Sequence, residues 1–318
     1  MTYSDFSPSP DAPAMVIGAA GVDLVGRISN PLEMWVSNPA LIRTTFGGVA
    51  RNVAENLARL GQPVRLITAI GDDQIGARLI RQIAEAGVDT GEVLRTDQHS
   101  TGAYLAVVNA AGELQVALDD MDTVSALTPD YLKERYELFK DSSMLFVDAN
   151  LPKNVLRTAI SLARRARIPI CADPTSTALA GQLKPHLSKL YLITPNRSEA
   201  EMLSDCKIDS LQDDQVLEAA KCMLSKGVQV VIVTLAQFGV FYATSETSGQ
   251  IPAINTEVVD PTGGGDALTA AVLFALLNEM SLDDALRLGV SAATLTLRHS
   301  GTVLPDLTLE KLYDQLVI

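Results

Sequence analysis

The chain has 318 residues, of which 47% are apolar, and carries a formal net charge of −13. That apolar content excludes a disordered chain, and the length suits one large domain or one domain with an appendage. The acidic balance argues against a nucleic-acid polymer as partner, because non-specific affinity for polyanions rests on clustered Lys and Arg. A small nucleotide remains admissible, since amides, Mg2+ and a few side chains set the field of a pocket.

Residues 1–13 contain Pro8, Pro10 and Pro13 with Asp5 and Asp11 and no basic residue, unlike a secretory or transit peptide. They are expected to form a loose tail on a cytoplasmic protein. The strand MVIG (15–18) runs into Gly18-Ala-Ala-Gly21-Val-Asp23. Asp23 then either caps a turn or stands at the carboxyl end of a parallel strand, where open α/β sheets bind ligands. Next, FGGVARNVAENLARLG (46–61) predicts a helix, with Val49, Val53, Leu57 and Leu60 on one face and Gly61 as its stop. Gly47 and Gly48 permit close approach of a ligand, and Asn52 offers a donor and an acceptor to a hydroxyl-rich molecule; an ordinary glycine-capped helix is the alternative.

Apolar runs at VRLITAI (64–70), MLFVD (144–148), PICAD (169–173), YLIT (191–194) and QVVIVT (229–234) alternate with helical patterns, among them 152–167 and 214–226. Near-continuous apolar strands separated by helices predict a parallel sheet covered on both faces, hence an α/β fold. Residues 24–46 and 92–118 break the alternation and read as antiparallel pieces, with a turn at Asn109–Gly112. They predict a small β-sheet lid on the main domain.

Asn196 and Glu199 follow the strand YLIT and Pro195, at the start of a helix. Their spacing is that of a capping box, and a functional role for the pair at this helix entry is compatible with that cap. Cys171, Cys206 and Cys222 lack CxxC spacing and His99, His186 and His299 are scattered, so a structural metal is not expected. The longest apolar run, Ala267–Leu277, is too short to span a bilayer. No GxxxxGK[ST] and no GxGxxG after the first strand occur, which disfavours P-loop kinases and dinucleotide oxidoreductases.

VDPTGGGDALTAAVLFALL (259–277) carries the most information. A helix start leaves N–H groups unpartnered and partially positive, and bare glycines let an anion reach them. Gly263, Gly264 and Gly265 thus form a phosphate seat or only a flexible loop; Asp266 is a base for a substrate hydroxyl or only a cap. The helices 264–278 and 282–298 are apolar nearly all round and predicted to be buried, aiming those amides into a water-poor pocket.

The series of Asp23, GGxxxN, lid, NxxE and DxTGGGD resembles the ribokinase-like (PfkB) carbohydrate and nucleoside kinases over residues 14–316. The resemblance implies a three-layer α/β/α domain over 14–318 with a mostly parallel central sheet and a β-lid. It implies Asp266 as catalytic base and Gly263–Gly265 as anion hole. Asn196 and Glu199 would organise ATP phosphates and water-bound Mg2+, with Thr234 and Gly239 near the nucleotide and adenine contacts within 233–239 and 288–303. Asp23, Gly47, Gly48 and Asn52 would contact substrate, and Asp260 and Thr262 a monovalent cation, K+ in many relatives. Within the family, GGVARNVAENLARLG, STGAYLAVVNAAGELQVALDDMD, VDANL, ADPTS and TPNRSEAE resemble pseudouridine kinases, with Thr101, Tyr104 and Met121 beside the base, Tyr104 or Met121 being alternatively lid core. The implied reaction is ATP-dependent phosphorylation of a 5′-hydroxyl. A ribokinase- or fructokinase-like substrate, or a non-catalytic sensor, is the alternative. A homodimer through the lid is also implied. Two departures stand out: Gly264 replaces the family's usual alanine, and Ala236 stands where Thr-Leu-Gly is usual.

Overall fold

A computed structural model describes residues 11–209 and 213–316; the expected tail lies outside the described residues up to position 10. The main sheet has eight strands in the spatial order Ser248–Ile251, Val240–Ala243, Val230–Thr234, Leu192–Ile193, Ile170–Asp173, Met144–Asp148, Ala14–Ile17 and Val64–Ile67. The last six run parallel, and the first two are antiparallel additions at one edge. Successive side chains of a strand point to opposite faces, and the two cores divide accordingly. Ala14 and Val16 join the core that includes the helices Val49–Arg59, Gly264–Leu277 and Leu282–Leu297. Met15 and Ile17 join the opposite core, with Lys153–Ala166, Arg197–Ser204 and Asp213–Ser225. Sheet and helices form three layers.

The helix Gly264–Leu277 is buried nearly all along its length, as its apolar composition predicts. It packs between Leu282–Leu297 and Val49–Arg59, which brings the glycine turn beside Asn52.

A second sheet, the lid, has the order Ala40–Gly47, Gly21–Ile28, Gly102–Val108, Leu114–Asp120. Its central pair is parallel and its outer pairs antiparallel. The expected lid segments 24–46 and 92–118 need adjustment at their edges. Leu94–Thr96 pairs with Ala69–Gly71 in a separate two-stranded ribbon, because Leu94 packs onto the core and its N–H donates to the Thr68 carbonyl. The lid itself starts at Gly21 and runs to Asp120. Only Gly18, Ala19 and Ala20 separate the lid strand Gly21–Ile28 from the core strand Ala14–Ile17. Gly18 is obligatory there, since a Cβ would collide with the Asp148 carboxylate.

Candidate active site

Gly263 caps the helix Gly264–Leu277 in the left-handed region at φ 77°, and among the described residues no side chain caps its first turn. A Cβ on Gly263 would strike the Thr302 carbonyl, whereas one on Gly265 would meet nothing within 4 Å. Gly263 is therefore required by the fold, while Gly265 leaves open space above unclaimed N–H groups. That combination fits an anion such as a nucleotide phosphate.

Asp266 lies in the first turn, and its Oδ2 accepts a 2.7 Å hydrogen bond from Asn52 Nδ2. Burial, foremost, raises its pKa to about 7; the Asn52 bond and Arg51 oppose the rise, and Asp23 and Asp148 add to it. Such a carboxyl can take up a proton near neutrality. Asn52 is bonded on both sides, its Oδ1 accepting from Arg51 Nη1 at 2.8 Å. Expected as a substrate contact, it sits in this structure as the clamp on Asp266.

Arg51 is 1% exposed, pairs closely with Glu55, and also donates to the Phe46 carbonyl and the Thr302 hydroxyl. Thr302 Oγ1 in turn donates to Phe46 O at 2.6 Å. The buried guanidinium thus ties the lid root, the helix Val49–Arg59 and the loop at Thr302 together. It also faces a concentration of acids. Asp23, buried in the lid strand, has a pKa of about 6, raised by burial first, with Arg51 opposing and Asp260 and Asp119 adding. Gly47 makes room for it, because a Cβ there would overlap the Asp23 carboxylate. Gly48, at φ 94°, caps the helix Val49–Arg59 where a Cβ would strike the Ala19 backbone.

Two further acids complete the site, and both lie at carboxyl ends of parallel strands, where the fold class places ligands. Asp148 is fully buried, and its carboxylate accepts from the N–H groups of Ala19, Ala50 and Asn150 at 2.8, 3.1 and 2.9 Å; burial raises its pKa against those bonds. Asp173 is raised well above the ordinary range by burial, then by Asp266 and Glu199, although Thr175 N–H and the Thr194 hydroxyl donate to it. The strand-end signal in VDANL and ADPTS could have marked both.

Asn196 and Glu199 form the predicted capping box: Glu199 N–H donates to Asn196 Oδ1 at 3.0 Å and Asn196 N–H to Glu199 Oε2 at 2.8 Å. Glu199 is buried, which raises its pKa. Thr234 lies alongside, bridged to Asn196. Beyond it, Gly239 at φ 89° closes a tight turn in which Leu235 N–H donates to the Gly239 carbonyl. Ala236 adopts φ 50°, a left-handed conformation suited to glycine, which gives the Ala236 departure a physical cost.

Between the lid and the loop before the glycine turn lies a cavity of about 180 Å3, lined by Tyr104, Arg27, Arg43, Thr45, Asp260 and Thr262 among others. Of the three lid candidates only Tyr104 lines it. Thr101 Oγ1 and N–H instead donate to the Asp73 carboxylate, and its hydroxyl accepts from Gly71 N–H. Met121 lies against Gly21 and Gly102. Both brace the root of the lid, where the polar atoms of Thr101 serve the cap of the helix Gln74–Glu85. Thr262 donates its N–H and hydroxyl to Asp260 Oδ1 at 3.0 and 2.6 Å.

The model of the pfkB family of carbohydrate kinases matches residues 12–309. The chain belongs to that family and is an ATP-dependent sugar or nucleoside kinase with a ribokinase-like fold. Pseudouridine kinase of Escherichia coli (strain K12) is 31% identical over 296 residues, covering 93% of each chain. Guanosine-inosine kinase of Exiguobacterium acetylicum is 31% identical over 280 residues, 87% of this chain and 92% of its own. Arabidopsis thaliana ribokinase, solved with ribose and ATP, has a TM-score of 0.85 at 20% identity, covering 96% of this chain and 99% of that one. Among the described residues, no helix is long and apolar enough to cross a membrane.

Proposed function

We propose that the enzyme transfers the γ-phosphoryl group of ATP to the 5′-hydroxyl of a nucleoside, with pseudouridine as the acceptor. The transfer chemistry rests on one observation: Asp266, with a pKa of about 7, stands in the first turn of a helix that, among the described residues, no side chain caps. The acceptor rests on the likeness to pseudouridine kinase across nearly the whole of both chains. The equal identity to a guanosine-inosine kinase supports a nucleoside over a free sugar.

In this reading Asp23 holds a ribosyl hydroxyl, and Tyr104 faces the base across the lid cavity. Asn52 orients Asp266 toward the 5′-hydroxyl. As the oxygen attacks, its proton passes to Asp266, the bond to the γ-phosphorus forms and the bond to the β-phosphate oxygen breaks. The open amides at Gly264 and Gly265 stabilise charge on the transferring group. Mg2+, held through water near Glu199, would supply further positive charge when bound. Asn196 and Thr234 border the triphosphate, with the turn through Gly239 nearby. A monovalent cation, K+, belongs at Asp260 and Thr262. A second copy of the chain covers the outer lid face, where Ile42 and Leu118 are each more than 60% exposed; analytical ultracentrifugation tests the dimer.

The deciding experiment offers pseudouridine, uridine, inosine, adenosine, ribose and fructose with ATP, Mg2+ and K+. Pseudouridine should give the highest kcat/KM. Efficient phosphorylation of inosine or ribose with none of pseudouridine would reverse the assignment. An Asp266→Asn variant should bind nucleoside while losing at least about a hundredfold in turnover; unaffected turnover would remove Asp266 as the base.

A further inference from the structure

At the edge of the main sheet opposite the glycine turn, two adjoining surface cavities have cations as their only charged lining. The first, about 380 Å3, is bounded by Arg157, Ser161, Arg164, Arg165 and Lys189. The second, about 290 Å3, shares Arg164 and Lys189, adds Arg167, and includes the apolar Ile168 and Pro169. For a chain with 38 acidic and 25 basic residues, a recess this size without a carboxylate is unexpected. Among the described residues, none of these five cations forms a salt bridge.

The arrangement is built by the fold. Arg157, Ser161, Arg164 and Arg165 share one face of the helix Lys153–Ala166, since Ser161 lies four residues after Arg157, three before Arg164 and four before Arg165. Arg165 is steadied over the Tyr136 ring at 4.2 Å, and Arg167 ends the helix in a left-handed turn at φ 62°. Lys189 arrives from the segment Gly181–Lys189, its Nζ 3.4 Å from His186 Nδ1. Burial lowers the pKa of His186, and Lys189 and Arg157 lower it further, as an uncompensated positive field should.

We propose that this double recess binds the di- or triphosphate group of a small anion, either inorganic pyrophosphate or a nucleotide. Seven to eight residues separate Arg157 from Arg164 and Arg165, roughly 10 Å along the helix axis. That span exceeds one phosphate and matches a short phosphate chain. Guanidinium forks suit phosphate oxygens in pairs, and Ile168 and Pro169 offer an apolar floor to a nucleotide's base. The recess is separate from the catalytic pocket: Pro169 precedes the strand Ile170–Asp173, whose far end carries Asp173.

Equilibrium dialysis of the whole enzyme with ATP and, separately, with inorganic pyrophosphate tests the site. The Arg164→Gln/Lys189→Gln double variant serves as comparison; both positions lie outside the catalytic machinery, so turnover and melting temperature should be unchanged. The expected result is an equivalent of probe, beyond the active-site one, that binds the wild type and weakens about tenfold or more in the variant. Equal binding of pyrophosphate and ATP identifies the phosphate chain alone as the determinant, and a preference for ATP identifies a nucleotide. If neither probe shows an equivalent sensitive to the double substitution, the proposal is overturned.

Discussion

Asp266 illustrates how burial and one hydrogen bond set a side chain's chemistry. With a pKa of about 7 it is largely protonated in mildly acidic solution and cannot then accept the substrate proton. kcat/KM should therefore fall as pH drops below about 7, and a rate flat from pH 5 to 8 would contradict the role. Asn52 donates to the charged form and holds the pKa down, so Asn52→Ala should move the acidic limb of the pH profile to higher pH. The same shift has a stability consequence with a definite sign. The pKa of Asp266 rises from 3.8 on folding, so its stabilising contribution is full below about pH 4 and is lost as pH rises through about 7. Asp266→Asn should accordingly gain melting temperature relative to wild type from pH 4 to pH 8; a constant difference would mean the carboxyl is not perturbed. Arg51, by contrast, escapes notice in the sequence. Arg51, Glu55 and Arg59 recur every four residues, as in a solvent-facing charge ladder. The ladder is buried at Arg51 because the lid root and the loop at Thr302 close over it, which no local pattern encodes.

The three glycines of the turn have different tasks, and alanine substitutions separate them. Gly263→Ala meets both a left-handed φ and the Thr302 carbonyl, so it should destabilise by at least about 1–2 kcal/mol in chemical denaturation. Gly265→Ala meets no neighbour; it should leave the melting temperature nearly unchanged yet reduce turnover, because its methyl group occupies space open to an anion. Equal loss of stability in both would mean the turn is purely structural. At the far side of the site, Ala236→Gly should relieve the left-handed backbone and stabilise by up to about 1 kcal/mol. The parallel strands were legible because burial on both faces demands unbroken apolar runs. The edge strands Val240–Ala243 and Ser248–Ile251 were missed: Ser248–Ile251 is short and buried only at Ile251, so it lacks that pattern. Thr101 misled for a related reason, since a polar residue at the start of a lid strand serves a helix cap as readily as a substrate.

At the scale of the whole molecule, the helices carrying Asp266 and Asn52 share one layer, and that layer and the lid meet at the carboxyl edge of the sheet. The order of the motifs indicated which segments would meet, but the shared anchoring of the two by Asp148 and Arg51 required the fold. Asp148 Oδ2 accepts from both Ala19 and Ala50, joining the short link below the lid to the helix that carries Asn52. Since the lid strand and the core strand are one continuous piece of chain with three small residues between them, a swing of the lid would bend the chain at the Ala19 amide bonded to Asp148. Such a swing should strain that hydrogen bond. Hydrogen–deuterium exchange at Ala19 should therefore slow when nucleoside closes the lid, while exchange at Val147, deep in the sheet, stays constant. An unchanged Ala19 rate on saturation with nucleoside would place the pivot elsewhere.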